Sequence, residues 1–158
     1  MLSRAFLVSE SINAMELAEA LARKIERDVI QAQNFFTLTP ERNSNDMIVR
    51  VRLNMLGIVG VGNRTRMSYA LLVTLDGYPF VCPKAWVEKP GDAFIYHLQI
   101  WPPRPPMNLP EVCTSAESKY QKDWAARRIA PGERNLLGFL RQVLYTLNNE
   151  NTHSKARQ

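Results

Sequence analysis

Two cysteines carry the most distinctive chemistry available to this chain. Cys113 sits in Asn108-Leu-Pro-Glu-Val-Cys-Thr-Ser115, and Cys82 in Tyr78-Pro-Phe-Val-Cys-Pro-Lys84. A thiolate is a strong nucleophile at neutral pH and can hold an acyl group as a thioester. Cys113 follows a proline-laden loop, and Pro110, Glu111, Thr114, Ser115 and Glu117 give it the company of an exposed loop. Val112 beside it suits the opposite reading, in which a free cysteine is a small buried hydrophobe. The polar neighbours favour a thiol that a partner can reach. Cys82, between Val81 and Pro83 at a strand end, is expected to be buried and inert.

Few other groups could assist Cys113. His97, Gln99 and Asn108 supply one imidazole and two amides upstream of it. Cys113 with His97 and Asn108 has the residue types of a thiol hydrolase, but no recognisable catalytic spacing supports that arrangement. Asn108 lies close to Cys113 in sequence and is a candidate amide donor. His97 reads more simply as a satisfied strand histidine. Asp123 beside Trp124 reads as a surface carboxylate, and Trp86, Trp101 and Trp124 as core or loop anchors. Two cysteines and two histidines (His97 and His153) without ligand spacing give no zinc site, and no cofactor motif is present.

Composition sets the frame. A 158-residue chain with 46% hydrophobic and 22% charged residues is expected to form one domain around one core. The net charge of +5 comes from scattered basic residues, which read as a solvated surface rather than a nucleic-acid footprint. Ala5 to Val8 is too short for a secretory segment, and no run approaches membrane-spanning length. The expected setting is the cytoplasm, with free thiols, no membrane and no nucleic-acid partner.

The elements that must position these residues follow from pattern. Asn13-Ala-Met-Glu16 resembles a capping box, and Leu17, Leu21, Ile25 and Val29 recur every four residues, predicting a helix from Ala14 to Gln33. Its charged face reads as solvated, or as a docking surface for another protein. Pro40 to Asp46 reads as a loop. Strands are expected at Met47–Leu53, Arg66–Leu75, Ala85–Glu88 and Ala93–Trp101, with a less regular stretch around Gly57 to Asn63. Four prolines in Pro102–Pro106 exclude helix and interior strand. Pro131-Gly132 introduces a helix from Arg134 to Asn148 with a leucine-rich face, and Asn148 to Asn151 stops it. The reading is α+β: an N-terminal helix, an antiparallel meander sheet of about four strands, an irregular loop carrying Cys113, and a C-terminal helix. Residues 1–151 form the single domain, and 152–158 a flexible basic tail.

This order and three local features resemble the ubiquitin-conjugating enzyme fold. Tyr78-Pro79-Phe80 with Pro83-Lys84 is similar to the family's Tyr-Pro-Phe-x-x-Pro-Lys stretch. Ile95-Tyr-His-Leu-Gln-Ile100 resembles its Ile-Tyr-His-Pro-Asn-Ile. Cys113, Trp124 and a leucine-rich helix follow in the family's order. The resemblance implies an acyltransferase. Cys113 would take a ubiquitin-like protein as a thioester from an activating-enzyme-like protein and pass it to an amine on a target protein. It also implies a structural role for His97. Gln99 stands where the family has an oxyanion-associated Asn, and Leu98 where it has Pro, so Gln99 and Asn108 compete for that role. The loop from His97 to Cys113 is longer than usual, and two further C-terminal helices are missing. The shortened form resembles bacterial members found in antiphage defence operons. The alternative is a catalytically inactive binding or scaffold module of the same fold.

Overall fold

The computed structural model describes residues 4–115, 118–154, 156 and 157, with side chains from residue 13 onward. Glu117 lies outside the described residues. The chain is α+β: one N-terminal helix, a six-stranded antiparallel sheet in the order β1-β2-β3-β4-β6-β5, and two C-terminal helices. The elements are α1 (Arg4–Gln33), β1 (Leu38–Arg42), β2 (Ile48–Gly60), β3 (Asn63–Thr74), β4 (Lys84–Lys89), β5 (Ile100–Arg104), β6 (Leu109–Val112), α2 (Lys119–Ala125) and α3 (Leu136–Asn148).

Helix α1 starts ten residues before the predicted Ala14, because no proline or glycine interrupts Arg4 to Gln33 and the Asn13 pattern lies inside a continuing helix. Among the described side chains of α1, Ile25, Val29 and Ala32 are buried, while Met15 and Leu17 are exposed. Leu17 therefore does not belong to the core face that its spacing suggested.

Two strands lie where none was expected: β1 at one edge, and β6 inside the sheet, in the segment read as the irregular loop and with Pro110 buried. β5, at the other edge, overlaps only the end of the expected strand Ala93–Trp101. β1 occupies the segment read as a loop and carries Pro40 opposite Val51. β5 begins at Ile100 and runs into the proline segment. Proline donates no ladder hydrogen bond, so it is tolerated where one side of a strand faces solvent. It also discourages pairing with another chain. β2 and β3 form one long hairpin, paired from Arg50↔Thr74 to Gly60↔Asn63. The segment Ala93–Trp101, expected to be extended, instead opens with a short 3₁₀ turn at Asp92–Phe94 and joins the sheet only at Ile100. The chain then reverses, so β6 lies between β5 and β4. A single bridge, Trp86↔Glu111, joins β6 to β4.

Alternation along β2 and β3 turns Val51, Leu53, Met55, Tyr69, Leu71 and Val73 inward, where they meet α3 through Leu136, Phe139, Leu140, Val143 and Leu147. Asn135 caps α3, its side-chain oxygen accepting from the Gly138 amide at 2.8 Å. Gly57 lets the helix approach: a Cβ there would lie 2.8 Å from the Leu147 Cβ and 2.9 Å from the Leu147 carbonyl oxygen.

The Tyr78-Pro79-Phe80 turn is tied into this core by polar contacts. The buried Tyr78 hydroxyl donates to the Asp28 carboxylate of α1 and accepts from the Leu136 amide of α3 at 2.9 Å. Lys24 holds the same Asp28 oxygen at 2.9 Å. Trp124 is fully buried, donates its indole N–H to the Pro79 carbonyl at 2.9 Å and packs between Tyr78 and Tyr120. One hydroxyl thus joins both major helices to the end of β3. Removing it leaves the Leu136 amide without its acceptor and deprives Asp28 of one donor. Tyr78→Phe is expected to cost about 1–3 kcal/mol, seen as a lower urea midpoint at an unchanged slope. An unchanged midpoint would show that the hydroxyl does not bind these elements together.

Candidate functional site

Cys113 follows β6 directly and is half-buried. Its neighbours Val112 and Thr114 are buried, so the thiol stands on the side of the strand away from the core. Beyond the Ile100↔Val112 pair, which ends the ladder, the Cys113 amide donates to the Gln99 carbonyl at 2.7 Å. Gln99 itself lies in the turn before β5, closed by the Ile100 amide on the His97 carbonyl at 3.2 Å. One backbone hydrogen bond therefore joins Cys113 to Gln99. The thiol donates to the Ser115 carbonyl at 3.1 Å, a contact that must be released when the sulfur attacks.

The residues around the thiol are held from α3 and α2. The Thr114 carbonyl accepts from Gln142 Nε2 at 2.7 Å and from the Thr146 hydroxyl at 3.4 Å. The Thr114 hydroxyl accepts from Gln121 at 2.6 Å, and the Ser115 hydroxyl from the Tyr120 amide at 2.6 Å.

Gln99 is fixed from the far side. Its Oε1 accepts from the Asn151 backbone amide at 2.6 Å. A backbone N–H requires an acceptor, so this contact assigns the amide orientation and turns Nε2 away from Asn151. Among the described residues Nε2 has no acceptor.

His97 is fully buried, in the connection before β5 rather than in a strand. Its Nδ1 accepts from the Gln99 amide at 3.2 Å, which puts the proton of the neutral ring on Nε2. Nε2 finds no hydrogen-bond partner. Burial holds the His97 pKa below its ordinary value, outweighing the Glu150 carboxylate and the Leu147 and Thr146 carbonyls, which favour protonation. His97 supports the backbone of Gln99 and stands at the end of α3. Nothing in its hydrogen bonding connects it to the thiol.

Asn108 does not join the group. It sits in the β5–β6 turn at φ 54°, exposed, with its amide on the Arg104 carbonyl. The length of β6 separates it from Cys113, roughly 15 Å of extended chain. Nearness in sequence misled because the intervening residues form a strand, which carries its ends apart. Asp123 is engaged by Lys119 and by Arg128 at 3.4 Å, and the Lys119 contact chiefly lowers its pKa. Cys82 is buried, and burial pushes its thiol up to about 12.

The residue that sequence reasoning missed is Glu150, read only as part of the stop after α3. Its carboxylate accepts from the backbone amides of Val61 at 2.7 Å, Leu98 at 3.1 Å and Gly62 at 3.3 Å. It thereby clamps the β2–β3 turn to the segment carrying His97 and Gln99. Gly60, at φ 104°, admits this contact: a Cβ would meet the carboxylate and the His97 Cα at 2.6 Å. An acid just after a leucine-rich helix, distant in sequence from two glycine-flanked amides, offers no local pattern to read. The segment expected to be a flexible tail also lies against the domain. Arg157 pairs with Asp92 at 2.5 Å, and Ala156 is buried.

Among the described residues no cluster of His, Cys, Asp or Glu could hold a metal, and no helix is long and apolar enough to cross a membrane. Compared with protein-family models, curated proteins and solved structures, the chain finds no match.

The burial of His97 makes a pH prediction. Its folded pKa is depressed, so its contribution to stability is fully present above the ordinary value of 6.5 and is lost as pH falls toward the folded value. Glu150 is also held below its ordinary value of 4.5: the Val61, Leu98 and Gly62 amides and His97 outweigh the burial that opposes ionisation. Its contribution is lost only below pH 4.5. Thermal midpoints should decline in two phases on acidification, and His97→Asn should flatten the first while leaving the second. A wild-type profile that is level between 6.5 and 4.5 would contradict this.

Proposed function

We propose that this chain is a ubiquitin-conjugating-like acyltransferase. It accepts a ubiquitin-like protein as a Cys113 thioester from an activating-enzyme-like protein and transfers it to an amine of a target protein. The observation that carries the reading is the half-buried Cys113 directly after β6, joined by its backbone amide to the carbonyl of Gln99. The order of elements and the contact between Trp124 and the Tyr78-Pro79-Phe80 turn support it. We assign the fold to the ubiquitin-conjugating type on the same grounds, and the setting to bacterial antiviral defence in the cytoplasm on the resemblance of the short form.

The chemistry balances without a cofactor. The Cys113 thiolate attacks the carbonyl of the thioester on the activating enzyme. A C–S bond forms and the carbonyl oxygen takes up negative charge. Gln99 Nε2 donates to that oxygen, and a preorganised donor of this kind contributes on the order of 3 kcal/mol. The intermediate collapses and expels the activating enzyme's thiolate. In the second step the target amine attacks the new thioester, loses a proton to solvent and expels the Cys113 thiolate. Positioning of the amine, rather than a strong base on this chain, drives that step.

A second reading is favoured by a specific observation. The thiol is satisfied by the Ser115 carbonyl and is half-buried. That suits a domain of the same type that binds without carrying an acyl group.

Incubation with the activating enzyme, ATP and the ubiquitin-like protein separates the two on a non-reducing gel. The acyltransferase is expected to give an adduct cleaved by thiols. The adduct is absent in Cys113→Ala and becomes thiol-resistant in Cys113→Ser. Gln99→Ala is expected to slow loading and discharge about a hundredfold at unchanged partner binding. Partner binding without any adduct would establish the binding module, and an adduct surviving in Cys113→Ala would end the assignment of Cys113.

A further inference from the structure

A second surface stands apart from Cys113. At the end of α1, the Phe35 ring is 62% exposed and lies under the Arg141 guanidinium, 4.9 Å from its centroid. One turn along α3, Tyr145 is 63% exposed. Arg66, Arg141, Leu144, Tyr145 and Asn148 line an open groove of about 380 Å³ between α3 and β3. Asn148 reaches across to the Leu56 carbonyl at 2.9 Å, and Leu56 is itself exposed.

The composition of this groove is informative. Tyrosine, phenylalanine and arginine are the residues enriched at the centres of protein interfaces. Among the described residues neither Arg66 nor Arg141 has an ion-pair partner, although acids elsewhere on the surface are paired. One acid, Glu133, lines a second groove that shares Arg141 and Tyr145. The Phe35 ring is stacked in place, so little side-chain freedom remains to be lost on binding. Two cations on an apolar floor do not make a phosphate-tracking stripe, which would need a longer run of basic groups. An open, shallow groove also suits a macromolecule better than an enclosed small ligand.

We infer that this groove docks an acidic amphipathic segment of a partner protein. Its apolar side chains cover Phe35, Leu144 and Tyr145, and its carboxylates meet Arg66 and Arg141. The inference does not depend on the chemistry of Cys113.

The test uses a synthetic amphipathic helix of Glu and Leu, titrated into ¹⁵N-labelled protein at low salt. A second peptide replaces every Glu by Gln, and a single-stranded oligonucleotide serves as a third probe. Amide shift changes are expected to cluster at residues 35, 66 and 141–148. The Arg66→Ala, Arg141→Ala double variant should weaken binding roughly tenfold and Tyr145→Ala about fivefold or more, at unchanged thermal midpoints. Equal binding of the Gln peptide, shifts located elsewhere, tighter binding of the oligonucleotide at this groove, or no binding at all would each overturn the proposal.

Discussion

A single carboxylate sets the geometry on which the candidate site depends. Glu150 stands just beyond α3 and accepts three backbone amides from two distant segments. Partial burial opposes its charge, yet its pKa is held below the ordinary value, so the amide contacts outweigh desolvation. The same contacts stabilise an unfavourable backbone. Val61 is β-branched and sits at φ 54°, between Gly60 and Gly62, which also have positive φ. A conformation of that kind costs on the order of 1–3 kcal/mol and persists only where its surroundings impose it. The carboxylate is what imposes it here. Consecutive amides facing one anion form a nest, and this nest is filled by the chain's own side chain.

Two polar anchors define where α3 lies. At its start, the Leu136 amide is bound by the Tyr78 hydroxyl, which also reaches α1. Beyond its end, Glu150 binds the turn of β2 and β3. Between them the helix buries an apolar face against the sheet and uses Gln142 and Thr146 to hold the Thr114 carbonyl. Cys113 is therefore positioned from two sides: by α3 through Thr114 and by the turn before β5 through the Gln99 carbonyl. A thiol held in this way has a defined direction without being enclosed. The amide of Gln99 gains its direction from the same end of α3, because the Asn151 N–H that fixes it is one residue from Glu150.

Local pattern carried much of this and failed where the deciding contact was distant. The alternation in Met47–Leu53 and Arg66–Leu75 and the leucine spacing in α3 gave the central sheet and its covering helix, because those periodicities record burial directly. Cys82, expected to be buried from its place between Val81 and Pro83, and Trp124, read as a core or loop anchor, are both buried. β1 and the extent of β5 were hidden by Pro40 and by Pro102–Pro106, since proline signals a loop unless the strand lies at an edge, and edge position is a property of the whole sheet. β6 was hidden by Pro110, although it lies between β5 and β4. The start of α1 was misplaced because a capping box is also an ordinary helical sequence. Gln99 could be singled out, but not its partner: nothing near Asn151 in sequence announces a bond to a residue 52 positions away. Asn108 was misplaced by the converse error, treating proximity in sequence as proximity in space.

The arrangement around the thiol also bears on which chemistry it suits. A thiol hydrolase needs an imidazole within hydrogen-bond reach of the sulfur to remove its proton and later activate water. His97 has the wrong connections for that task. Its Nδ1 is occupied by the Gln99 amide, its Nε2 lies without a partner toward the end of α3, and burial disfavours the protonated form that proton relay requires. Among the described residues, the groups hydrogen-bonded to Cys113 are the Ser115 and Gln99 carbonyls, and neither can take up a proton at neutral pH. The proton of the thiol must then leave to solvent or to an incoming group, so the connections of His97 give no support to the hydrolase arrangement of Cys113, His97 and Asn108.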